Sequence, residues 1–135
     1  MGEYVRYRCK LSGRICEFVI LLVAREWTQD FEFGAHRKHG LAAGLTEEIV
    51  AAIVEGRRPQ GLDEELGVIW DFVTEVQRTR RVSDTTYAQA LARFGEQGVI
   101  DLAGIIGYYS LLALTMNIAR VAPPQGESYL PRFPE

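Results

Sequence analysis

The chain has 135 residues, enough for one domain with a real core and too few for two comfortable ones. With 47% hydrophobic and 24% charged residues it reads as globular, which excludes a disordered chain. A net charge of −3 supplies no large positive field to hold phosphates, so a nucleic-acid partner is not expected.

The opening stretch MGEYVRYRCK is polar and lacks the apolar core of a secretory leader. Two cysteines, Cys9 and Cys16, make no disulfide framework and are too far apart in sequence for a Cys-x-x-Cys redox pair. As free thiols they suit a reducing cytosol, so a cytoplasmic location is expected. Ser12 is placed to cap a first helix over residues 13–27, apolar nearly all round and so expected to be buried. A second helix is predicted over residues 29–43, stopped by Gly44. Thr46 caps a third, EEIVAAIVEG, with acids in its first turn and Gly56 at its end. Asp63 caps a fourth, running to about residue 80, with Leu66, Ile69, Trp70, Val73 and Val76 on one stripe. Ser83 caps a fifth that Gly95 ends, and a sixth runs from Glu96 to about Arg120. The basic clusters at 57–58 and 78–81 flank helix ends and read as solvated termini.

Residues 102–119 carry no charge and reach the lower length limit of a membrane span. Their two Tyr, Ser, Thr, Asn and two Gly would be costly in mid-bilayer, so a central or interface-buried helix is expected and not a membrane segment. The fold class is all-α, with one helical domain over residues 1–122 and a Pro/Gly-rich tail over 123–135. That tail is expected either as an arm over the surface or a neighbouring subunit, or without fixed order. The first and last helices are too apolar for a small monomer to cover both. Their mutual packing plus a homo-oligomer interface is expected.

Both histidines fall in FEFGAHRKHG, next to the greasiest helix. Glu32 and His36 lie four apart and share a helix face, with Gln29 one turn earlier and His39 at the edge of that face. Phe31, Phe33 and Ala35 lie elsewhere around the helix and are expected to seat it in the core. Glu17 is the only charge between Arg14 and Arg25, and a carboxylate that loses hydration there needs a cation or donor. An antiparallel hairpin turning near Thr28 brings Glu17 to His36, and a Glu–His pair can trade protons near neutral pH. Plainer readings stand beside this one: Glu17 reaching solvent, His36 an ordinary half-buried histidine on Glu32, and His39 on a solvated face. No metal is expected, because Glu32-x-x-x-His36-x-x-His39 offers at most three ligands and no second Glu-x-x-His exists. Cys16 points about 100° away from Glu17 around the helix, which leaves a catalytic thiol weakly supported.

The runs R-x-C-E-F-V-I-L-L-V-A-R-E-W, F-E-F-G-A-H-R-K-H-G-L-A-A-G-L, R-V-S-D-T-T-Y and G-V-I-D-L-A-G-I-I-G-Y-Y resemble the carboxymuconolactone decarboxylase family, which includes the alkylhydroperoxidase D-like proteins. The resemblance covers residues 10–120. It implies a six-helix all-α domain that assembles into trimers, hexamers or related oligomers, including dimers. Glu17 and His36 match the glutamate and histidine of the peroxidase branch, but its two cysteines fall on Gln29 and Glu32, so thiol peroxidase chemistry is not expected. Glu32, Phe33 and His36 fit the Glu-aromatic-x-x-His of the decarboxylase-type branch. The implied activity is a cofactor-free carboxy-lyase of aromatic-compound catabolism acting on a small carboxylated lactone or keto acid. Glu17, Glu32 and His36 would be catalytic, and Gln29, His39, Tyr108 and Tyr109 would bind substrate. Arg14 and Arg25 are the candidate carboxylate anchors. The segment before residue 10 is brief for the family, so any pocket wall usually supplied there is expected from elsewhere. A peroxidase-like oxidoreductase using Cys9 or Cys16, and a non-catalytic oligomeric binding protein, remain the alternatives.

Overall fold

The computed structural model describes residues 1–131, and among these every regular element is helical. A helical turn, Tyr4–Arg8, precedes five helices: α1 Gly13–Glu26, α2 Asp30–Ala42, α3 Glu47–Glu55, α4 Glu64–Thr79 and α5 Asp84–Ile118. The ends follow from local chemistry. Ser12, Thr46, Asp63 and Ser83 each accept a hydrogen bond from the backbone N–H three residues on, satisfying a donor that the helix itself cannot. Gly95 breaks the helical path of α5 with φ +70° and ψ 178°, so the element consists of the two expected segments run together end to end.

α1 is the hub, packing on α2, α3, α4 and α5. Its residues from Phe18 to Ala24 are all buried, consistent with an apolar surface that has no solvent face to offer. α2 folds back along α1. Gly40 permits the close approach: a Cβ there would stand 2.9 Å from Leu45 Cδ1 and 3.7 Å from Glu17 Cβ. The α1–α2 turn carries strain, because Thr28 adopts φ +48° and its buried hydroxyl has no partner among the described residues. Phe33 seats α2 in the core, but Phe31 and Ala35 do not. Both are exposed and flank a groove towards Pro123 and Pro124, because the core-facing stripe of α2 is narrower than its aromatic content suggested.

Two outlying segments are fastened by buried or half-buried carboxylates. Asp101, 3% exposed, accepts from the Tyr4 hydroxyl, the Lys10 N–H and the Gln97 amide, which holds the N-terminal turn against α5. Burial alone would push this carboxyl up; the Lys10 N–H, Gln97 and Tyr4 outweigh it and hold it below its ordinary value. Asp30 accepts from the Ser128 hydroxyl at 2.6 Å and from the Tyr129 and Leu130 N–H groups. The C-terminal arm therefore crosses α2 of its own chain, with Leu130 buried and Tyr129 beside Phe33. The last four residues of the expected tail, 132–135, lie outside the described residues.

α5 is the one helix among the described residues long and apolar enough to cross a membrane, by length and composition. Leu102, Ile105, Ile106, Tyr109 and Ala113 are buried in this fold, whereas Ile100, Leu111, Leu114 and Ile118 are exposed.

Candidate functional site: a buried imidazole between two carboxylates

Glu17 projects from the second turn of α1, and His36 from the middle of α2. The hairpin sets His36 Nδ1 2.7 Å from Glu17 Oε2, and the helical repeat sets His36 Nε2 3.1 Å from Glu32 Oε1. Both ring nitrogens therefore meet a carboxylate, an arrangement suited to the doubly protonated ring. The His36 and Glu32 side chains are each only 10% exposed, and Glu17 is 18% exposed. Burial acts most strongly on His36 and opposes its charge. The hydrogen bonds and charges of Glu17 and then Glu32 together outweigh it, and the imidazole is raised to about 9. At neutral pH the site holds an imidazolium.

Tyr109 stands edge-on to His36 with ring centres 5.3 Å apart, and Tyr108 stands edge-on to Tyr109. Burial, then the charges of Glu32 and Glu17, push the Tyr109 phenol up to about 12, so it remains protonated and can donate a hydrogen bond. Glu32, His36, Tyr108, Tyr109 and Leu112 form one side of a pocket of about 300 Å³; Gly2, Glu3, Arg6 and Tyr7 form the other. Glu17 does not line it. Its carboxylate lies behind the ring and holds Nδ1.

Several expectations are corrected. Gln29 does not join the ladder: it is 2% exposed, and its Oε1 accepts from the Glu32 N–H as the cap of α2. Its Nε2 donates to Asn117 Oδ1 at 3.1 Å, so both ends of the amide are consumed in structure. His39 is exposed, with its ring 5.7 Å from that of His36, and does not line the pocket. Arg14 reaches instead to Asp63 at 2.7 Å and Glu65 at 3.3 Å near the start of α4. Arg25 Nε donates to the Val54 carbonyl of α3 at 2.8 Å. The missing wall comes from the brief N-terminal segment itself, once Asp101 has fastened it.

Arg6 is the residue that sequence reasoning missed. Its guanidinium lies 5.3 Å from the Tyr7 ring centre and forms no salt bridge among the described residues, while its neighbour Arg8 takes Glu3 at 2.9 Å. Neither thiol lines the pocket.

No protein-family model matches the chain, and no curated protein or solved structure matches it significantly. The likeness to the carboxymuconolactone decarboxylase family therefore rests on the quoted motifs alone.

Proposed function

We propose that this chain is a cofactor-free acid/base lyase, carboxymuconolactone decarboxylase-like, that removes CO2 from a small carboxylated unsaturated lactone or keto acid. The observation that carries the reading is the His36 ring, held between Glu17 and Glu32 and lining a pocket that Arg6 also lines. In this reaction the bond to the leaving carboxylate breaks and its electron pair moves into the conjugated carbonyl as an enolate. CO2 departs, and the pair returns to carbon as a proton arrives. An imidazolium supplies both needs, a cation for the developing oxyanion and a transferable proton. Arg6 would hold a carboxylate that stays on the substrate, leaving the reacting one against Tyr108, Tyr109 and Leu112, where poor solvation favours loss of charge. Glu17 serves as the positioning residue, and Glu32, which faces the pocket, takes part in proton return to His36. The same reading has copies of the chain meeting through the exposed apolar face of α5.

The test is CO2 release and loss of substrate absorbance across a set of carboxylated unsaturated lactones and β-keto acids. Wild type is expected to turn over at least one, and His36→Ala to lose about 10²–10⁴-fold. Activity should decline as pH rises through about 9, where the imidazolium gives up its proton. Turnover undiminished in His36→Ala would overturn the proposal.

A further inference from the structure

Cys9 and Cys16 take no part in that site, yet the fold places them together. Their sulfur atoms are 3.4 Å apart, and both thiols point to the Leu11 carbonyl, at 4.0 and 3.8 Å. A disulfide needs about 2.05 Å, so closure asks for roughly 1.4 Å of further approach. Cys16 is fixed in the first turns of α1. Cys9 follows the N-terminal turn in extended backbone, φ −66° and ψ 153°, outside α1, and its N–H closes that turn on the Tyr4 carbonyl at 2.9 Å, so the adjustment falls on its side chain and on that single turn. The stretch between them is already anchored at one point, the Lys10 N–H on Asp101.

We propose that Cys9 and Cys16 are an oxidative modification site, closing reversibly to a disulfide that fastens the N-terminal segment to α1. The oxidant is a small-molecule disulfide of the oxidised-glutathione class. The Cys9 thiolate attacks one of its sulfurs, forming a mixed disulfide and releasing one small thiol. The Cys16 sulfur, after losing its proton to solvent, attacks Cys9 and releases the second. Two electrons pass from the protein dithiol to the small disulfide, and one S–S bond replaces another. The order follows from environment: burial, the Cys9 contact and the charges of Glu17 and Asp101 hold the Cys16 thiol up, so Cys9 is the entry point. Because the sulfurs already touch, the internal attack has a high effective concentration and the mixed disulfide does not accumulate. The segment fastened this way carries Gly2, Glu3, Arg6 and Tyr7, one whole side of the pocket, so oxidation tightens that wall. This inference stands apart from the proposed lyase activity.

The experiment equilibrates the full chain with oxidised glutathione, blocks remaining thiols by alkylation, and reads intact mass and peptide map. Wild type should lose both alkylatable thiols together, yield a linked peptide joining Cys9 to Cys16, and carry no lasting glutathione. Cys16→Ser should trap glutathione on Cys9, and Cys9→Ser should leave Cys16 alkylatable. Amide exchange over residues 4–10 should slow several-fold in oxidised wild type. A persistent glutathione adduct on wild type, a bond between two chains, or two thiols still alkylatable where Cys16→Ser has trapped glutathione would each overturn the proposal. If a serine variant loses its helical circular dichroism, the wild-type masses and exchange decide alone.

Discussion

Replacing Glu17 by Gln keeps the shape of the side chain and its acceptor oxygen but removes the charge on His36 Nδ1. The wild-type imidazole is raised from 6.5 to about 9. At about 1.4 kcal/mol per tenfold change in proton affinity, the folded state gains at most ~3–4 kcal/mol from this proton. The sign follows from the direction of the shift. The folded state binds the proton more tightly than the unfolded chain, so the contribution is complete below about pH 6.5 and is lost as pH rises towards 9. Glu17 acts ahead of Glu32 in raising this imidazole, so Glu17→Gln should cost ~1.5–2 kcal/mol near pH 6, in the range of a hydrogen bond to a charged group, and much less near pH 9.5. Urea unfolding followed by the fluorescence of Trp27 and Trp70 at the two pH values measures the difference, and other titrating groups cancel between variant and wild type. The His36 ring protons, followed by NMR, should titrate well above 6.5 in wild type and move down in the variant. Wild-type titration at 6.5, or a cost independent of pH, would refute the account of the site.

Asp101→Asn leaves one acceptor where three donors converge and turns an amide N–H₂ against them, so the N-terminal turn should loosen by ~1–3 kcal/mol. Hydrogen exchange should rise over residues 4–10 while the α1 core stays protected, and unchanged exchange there would show that another contact holds the segment. If copies of the chain meet through α5, the double change Leu114→Glu and Ile118→Glu should reduce the sedimenting mass without altering helical content. A wild type that is already monomeric at tens of micromolar in detergent-free buffer would remove that interface.

What the sequence discloses here is what is decided within a few residues. The caps Ser12, Thr46, Asp63 and Ser83 and the break at Gly95 are local hydrogen-bond and backbone choices, and all appear where the sequence places them. The meeting of Glu17 with His36 was legible because a short turn fixes the register of a hairpin. Gln29 misled for an equally local reason. Its spacing puts it on the Glu32 face, but at a helix cap the side chain turns back to the N–H groups and leaves that face. Arg14 and Arg25 were unreadable as anchors because long side chains find whichever carboxylate or carbonyl the tertiary fold brings near. Arg6, the Cys9–Cys16 contact and the arm on Asp30 depend on where the two chain ends settle, which no periodicity records.

The cluster of charges is expensive for the fold that contains it. Glu17 immediately precedes the buried run from Phe18 to Ala24, and apolar side chains of similar volume in place of a buried ion cluster are commonly neutral or stabilising by about 1–4 kcal/mol. One carboxylate would suffice to neutralise one imidazolium, yet two are present, and they are placed unequally. Glu17 lies behind the ring and does not line the pocket, whereas Glu32, His36 and Arg6 all line it. Two acceptors are what the two N–H groups of a buried imidazolium require, so the pair of acids alone fits a structural network as well; the Arg6 cation among the residues lining the same pocket is what such a network does not need. That cation is accounted for under the proposed reading, in which Glu17 holds the proton on His36, Glu32 exchanges it and a small anion in the pocket receives it.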